Sequence, residues 1–413
     1  MKPLLVICGG SIALSYALFF ALYSSVHPLQ KNMQSADMFA SVFFTQSVAA
    51  PDIQKKFSSA STTGQRIKIL IVPGHEPDFG GAEYKNLKER DMTVDLGHYL
   101  SEYLMNNPHY EVFATRNKDV WNQELQDYFD QHWRGINTFV ASQKAEMAHL
   151  VSDGKIVRVT DGVPHNDAPS DVATRLYGIN KWANEKKMDI TIHIHFNDDA
   201  SRRITRAGEY NGFTIYVPDR QYSNADASKS IATEIVGRIA QFSAISNFPR
   251  EDSGVTEDQD LIAVGGQNTS DGASMLIEYG YIYEPQFADP ETRDTALKEL
   301  ALQTYLGLED FFGEASPVAE PYGTTLLPYA WDTILRKGSA PHKEILALQA
   351  ALSYQGFYPP HNSNKNDCPM SGVFGSCTRT AVALFQNEFK IPGDGTIVGA
   401  QTRAKLNELY GER

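Results

Sequence analysis

Apolar residues run almost unbroken from Leu4 to Tyr23 behind Lys2, and no charged side chain appears between Pro3 and Gln30. About 20 apolar residues span a bilayer as a helix. Residues 1–30 are therefore expected to be a signal peptide or an N-terminal transmembrane anchor. No small-x-small cleavage site follows the run directly, and Ser47-Val48-Ala49 lies too far downstream, which favours an uncleaved anchor with the bulk of the chain outside the cytoplasm. Cys8 is not a lipoprotein cysteine, because almost no apolar stretch precedes it. Residues 31–64 mix Ser, Thr, Gln and Ala without a clear period and are expected to be a tether.

From Arg66 to Gly313 two periods alternate. Ile67–Val72 reads as a buried strand closed by Pro73-Gly74, Met92–Leu104 as a helix and Tyr110–Ala114 as a second strand. Asp189–His195 alternates strictly, with Ile190, Ile192 and Ile194 on one face and Thr191, His193 and His195 on the other. Phe213–Val217 and Ser274–Glu278 read as further strands, Ala227–Phe242 and Thr292–Phe312 as helices. Such alternation predicts an α/β domain over 65–314, a mainly parallel twisted sheet covered by helices. Residues 118–172 interrupt it as an aromatic-rich insertion, too long to be a plain connection. Residues 315–341, with Pro317, Pro321, Pro328 and Pro341, read as a partly extended linker. The stretch 342–413 has an internal echo: Gly372–Arg379 opens one helix and Gly395–Arg403 another, after a first helix at Lys343–Gln355. It predicts a small all-α three-helix module.

Composition adds limits. The chain has 413 residues, 42% hydrophobic, enough for ordinary cores in two or three domains. A formal net charge of −13 argues against nucleic acid and anionic lipid surfaces as partners. Export would place the chain in an oxidising compartment. A disulfide between Cys368 and Cys377 is then expected, the alternative being two unlinked small hydrophobes.

Four short segments carry candidate chemistry: Pro73-Gly74-His75, Glu89, His193–Asn197 and Glu278–Tyr281. Three of them end apolar runs, where open α/β sheets build their sites, and Glu89 opens a helical pattern. Two histidines, a carboxylate ligand and a further carboxylate suit a hydrolytic zinc centre. Each also has a plainer reading: a surface turn for His75, a helix N-terminal carboxylate for Glu89, a half-buried strand residue for His195, a buried ion pair for Glu278.

Taken together and in this order, the segments resemble the zinc-dependent N-acetylmuramoyl-L-alanine amidases of bacterial cell-wall turnover. That family has a strand ending in PGH, a Glu opening the first helix, a SIHxN-type strand end and a final E-x-G-F/Y. Arg175 with Asn180, and Gly212–Tyr216, match further family positions. The resemblance implies Zn2+ held by His75, Glu89 and His195. It implies Glu278 as the catalytic carboxylate, which takes a proton from the attacking water and returns it to the departing L-alanine nitrogen. The sequence departs from the pattern in three places. Glu76-Pro77-Asp78 stands where glycines usually follow the first histidine; Glu76 could there crowd the ion or act as a rival ligand, but neither is the expected reading. His193 replaces the usual Ser; facing the same way as His195, it touches substrate or orients a metal ligand, the alternative being a plain strand residue. The 118–172 insertion is either a lid or a decorated edge. Arg202, Arg203 and Arg206 are read as a solvated loop, the alternative being a peptide-carboxylate site.

The C-terminal stretch resembles three-helix peptidoglycan-binding modules through Leu348-Gln349, Gly372–Arg379, Ala381–Gln386 and Gly395–Leu406. Such a module raises the local concentration of an enzyme on an insoluble wall by tethering. The partners implied are peptidoglycan and, if the N-terminus is uncleaved, the membrane. The localisation implied is the cell envelope. Two rivals remain: a zinc carboxypeptidase or endopeptidase acting on stem peptides, and a catalytically silent wall-binding protein.

Overall fold

The structure, a computed structural model, describes residues 49–411 except 166–167, 252, 266–270, 315–320 and 340–341. The expected signal peptide or anchor lies outside the described residues, among which no helix is long and apolar enough to cross a membrane. In chain order the elements are α1 (Ala50–Thr63), β1 (Ile67–Pro73), β2 (Glu83–Tyr84), β3 (Leu87–Lys88), α2 (Glu89–Met105), β4 (Tyr110–Ala114), α3 (Gln123–Ser152) and α4 (Ser170–Lys186). They continue with β5 (Ile190–Asn197), β6 (Thr214–Pro218), α5 (Ala225–Ile239), β7 (Val255–Asp258), a 3-10 turn at Ile262–Val264, β8 (Ala273–Tyr281), α6 (Pro285–Ala288) and α7 (Pro290–Phe312). The C-terminal unit holds β9 (Leu335–Arg336), α8 (Lys343–Tyr354), α9 (Ser376–Glu388), β10 (Ile397–Val398) and α10 (Ala400–Tyr410).

Six strands form one sheet in the order β4-β1-β5-β8-β6-β7. The first four are parallel, β6 runs antiparallel to β8, and β7 follows β6. The sheet is thus mainly parallel, as the alternation predicts. Period-2 alternation sorts its two faces. Ile69, Ile71, Ile190, Ile192, Ile194 and Ile277 pack with α1, α2, α5 and α7. Leu70 and Val72 face the other way, against Phe129 of α3 and Trp182 of α4. His193, His195 and Glu278 share this second face by the same parity.

Two stretches behave differently from their sequence expectation. The second half of the expected tether is helix α1, whose Ile53, Phe57 and Ala60 are buried at helical spacing. Lys56 Nζ, 2.6 Å from Asp189 Oδ2, fastens α1 to the chain just before β5. Part of the expected linker is also folded: Leu326, Leu327, Trp331 and Leu335 join the core of the C-terminal unit. The prolines read as extended chain, but these apolar residues between Pro321 and Gly338 pack into that core. The insertion is largely the 30-residue helix α3, which supplies part of the helical layer on the second face.

The C-terminal unit is docked rather than loose. The loop before Cys368 reaches the α/β domain: Lys365 Nζ donates to the carbonyls of Ala240 and Gln241 at the end of α5, the second at 2.8 Å. A cation there suits the negative end of a helix. Asn366 Nδ2 donates to Asn211 Oδ1 and to the Ile245 carbonyl, each at 2.8 Å. Nearby, Thr325 donates from both its backbone N–H and its hydroxyl to Glu299 Oε2 of α7. Cys368 and Cys377 form the expected disulfide. Closing so short a loop contributes about 2–3 kcal/mol. Replacing both cysteines by serine should therefore lower the unfolding transition of the C-terminal unit by that amount, and calorimetry of the two proteins side by side checks it.

Candidate metal centre

The site forms where β1, β5 and β8 end and α2 begins. His75 follows β1 through the Pro73-Gly74 turn and sits at φ 69°, a left-handed conformation rare outside glycine. Gly74 N–H donates to the Ile194 carbonyl at 2.9 Å, so the turn is bound to β5 next to the His195 ring. A Cβ at Gly74 would lie 2.4 Å from His195 Cε1. Gly74→Ala must therefore push the ring away, and ion affinity is expected to fall about 10–100-fold. Competition against a chelating dye measures it.

Glu89 is the first residue of α2 and is buried. Its Oε1 accepts from Phe196 N–H at 3.0 Å and lies 3.0 Å from His195 Nδ1. Its Oε2 accepts from Ala82 N–H at 2.7 Å and lies 2.9 Å from His75 Nε2. The last contact is close but poorly directed, so His75 Nε2 is left without an aligned partner. Burial works to raise the Glu89 carboxyl, yet His75 and His195 outweigh it and hold the group well below the usual carboxylate range. Burial lowers His195, against the opposing pull of Glu89. Donor atoms of His75, Glu89 and His195 all lie within 4.8 Å of one another. Two imidazoles, one carboxylate and an orphaned ring nitrogen make a donor set that fits a zinc ion.

Glu278 on β8 stands opposite His195 on β5 in register and opposite Thr214 on β6. Its Oε2 is enclosed and has no partner among the described residues. Burial first, then the Glu89 and Glu251 carboxylates, raise its pKa well above the ordinary value. The four segments singled out in the sequence thus come to one edge of the sheet.

Other expected positions have different surroundings. Glu76 is engaged by Arg175 Nε at 2.9 Å rather than grouped with the three donors. Asn180 Nδ2 donates to the Ile262 carbonyl at 2.7 Å. Arg202, expected in a solvated loop, instead packs its guanidinium over the adjoining Tyr84 and Tyr283 rings and pairs with Asp198. Arg203 and Arg206 are exposed. His193 is 1% exposed, and neither ring nitrogen has a partner among the described residues. Leaving such a group unpaired costs about 1–3 kcal/mol. Burial first, then the neighbouring His195, hold it neutral, down to about 3.

Sequence reasoning did not find Arg116. It is buried just beyond β4, with Nε donating to the Pro73 carbonyl at 3.2 Å and Nη2 to the carbonyls of Gly74 and Arg90. It therefore clamps the turn that carries His75. Burial pulls its pKa down to about 10. The available signal was an arginine immediately after a strand, aimed at the neighbouring strand end.

A cavity of about 590 Å³ adjoins the two histidine donors, His75 and His195, on the second face of the sheet. His75, His193 and His195 line it, with Val72, Ile179 and Leu276 among its apolar walls. Trp121, Lys144, Arg158 and His165 of the insertion close its outer side.

Residues 69–310 match the family described as N-acetylmuramoyl-L-alanine amidase, and residues 341–406 one described as a peptidoglycan binding domain. Among solved structures, the chain is similar to the N-acetylmuramoyl-L-alanine amidase of Clostridium difficile 630, with 16% identity over 61% of this chain and 99% of that one, TM-score 0.35. It is similar to the amidase of Mycobacterium smegmatis, with 13% identity over 60% and 97%, TM-score 0.39. A third is the amidase catalytic domain from Paenibacillus polymyxa, with 16% identity over 60% and 99%, TM-score 0.36. No curated protein matches the chain.

Proposed function

The chain belongs to the N-acetylmuramoyl-L-alanine amidase family, and on that premise we propose that it is a peptidoglycan hydrolase using zinc to cleave the amide between N-acetylmuramic acid and L-alanine. The observation that carries this reading is the gathering of His75, Glu89 and His195 beside Glu278 at one sheet edge. His75, Glu89 and His195 would hold the ion. Bound zinc supplies Lewis acidity, which polarises an amide carbonyl and acidifies water. Glu278, with an unpartnered oxygen, takes the proton of the attacking water and delivers it to the alanine nitrogen as the amide breaks. A raised pKa makes Glu278 the stronger base for the first half of that task, and the charge of a bound ion would draw the group back towards its ionised form. Arg116 keeps the His75 turn in place.

We assign 65–314 as the catalytic domain and 342–413 as the peptidoglycan-binding domain, the second supported by its own family match. An enzyme with this substrate works in the cell envelope. The test is mass spectrometry of digested sacculi, paired with metal analysis of the purified protein. Free lactyl ends with intact stem peptides support the amidase. Shortened peptides still attached to glycan would instead assign a carboxypeptidase or endopeptidase, and no release at all a silent binder.

A further inference from the structure

The cavity beside the metal centre has features that zinc chemistry does not use. Its volume, about 590 Å³, lies within the range of small-ligand sites. His193 is sealed in its wall with both ring nitrogens unpaired, and a neutral imidazole offers one donor and one acceptor. A ligand that supplied those partners would remove an energetic penalty the free protein carries. His193 lies two residues before His195 on the same face of β5, roughly 7 Å along the strand. That is about two residues of extended peptide. Three cations line the cavity, Lys144, Arg158 and Arg175, against two carboxylates, Glu76 and Asp260. A net positive lining stands out in a chain of charge −13. The outer wall is fixed to the domain: His165 Nε2 lies 2.8 Å from Asp258 Oδ2, and Arg158 Nη1 2.7 Å from Asp260 Oδ1.

We propose that this cavity is a subsite for the stem peptide, an acidic peptide, in which His193 hydrogen-bonds the backbone within two residues of the cleaved amide and Lys144 of the insertion meets a peptide carboxylate. The insertion is then a specificity wall. The glycan, whose lactyl carboxylate is tied up in the amide, has no charge to match this lining. The subsite rests on the amidase reading for its substrate, but its test does not need turnover.

The probe is the dipeptide L-alanyl-D-glutamate and its α-amide, titrated calorimetrically against the zinc-loaded full chain, His193→Ser and Lys144→Ala. Steady-state cleavage of a muramoyl peptide runs in parallel. His193→Ser is expected to weaken dipeptide binding about 10-fold and to raise KM similarly, while kcat stays within threefold and zinc content is unchanged. Lys144→Ala is expected to erase most of the preference for the acid over the amide. Zinc loss from His193→Ser, or a fall in kcat at constant KM, would instead make His193 a support of the metal site and overturn the proposal. Unchanged dipeptide binding in both variants, with the parent chain active, would sink the subsite and leave the amidase standing. His193-dependent binding in a parent chain that releases no peptide would do the reverse.

Discussion

Glu278→Gln is expected to fold and load zinc as the parent chain does, yet release labelled wall about 10²–10⁴-fold more slowly. The substitution keeps the shape and polarity of the side chain and removes only its ability to carry a proton. Glu278 has an enclosed oxygen without a partner among the described residues, stands opposite His195, and has its pKa raised by burial first and then by Glu89 and Glu251. Structural ion-pair carboxylates have a cation in contact, and Glu278 forms no salt bridge among the described residues. Dye release from labelled sacculi, normalised to zinc content, reads the effect. A variant as fast as its parent would remove the proton carrier from the mechanism.

Stripping the ion, or replacing His195 with alanine, is expected to take wall release below detection and to lower thermal stability. An ion that binds only the folded chain, present at a thousandfold above its Kd, adds about 4 kcal/mol. For a domain of this size that is on the order of 10 °C in Tm. The physical reason is the crowding at Glu89, where one carboxylate serves two imidazoles and two backbone N–H groups. Without an ion, the His75 ring nitrogen is left unaligned. Scanning calorimetry of chelated and zinc-replenished protein measures the shift. Equal melting and equal wall release after exhaustive chelation would remove the ion from the proposal.

The fold was legible where period and burial agree. The strict alternation in Asp189–His195 correctly put His193 and His195 on one face, because β5 is buried on both sides and its parity admits one register. The reversal of β6 and β7 was not legible, since a buried apolar strand carries no direction in its composition. Helix α1 was missed because its stripe is only Ile53, Phe57 and Ala60 among Ser, Thr and Lys. Trp331 and its neighbouring leucines were hidden by prolines that read as extended chain. At the site, the residue types were legible but their neighbours were not. Arg116 binds carbonyls, which no side-chain pattern reveals, and Arg202 packs over two tyrosines distant from each other in sequence.

The contacts of Lys365 with the end of α5, and of Asn366 with Asn211, change what the C-terminal unit does for the enzyme. A leash would let the cutting edge wander around its foothold. A splinted pair cannot, so the distance from grip to scissors is set once, in the fold. Along a glycan strand such a molecule samples bonds at one stride from where it stands, and the wall's own repeat decides which of them fall under the blade.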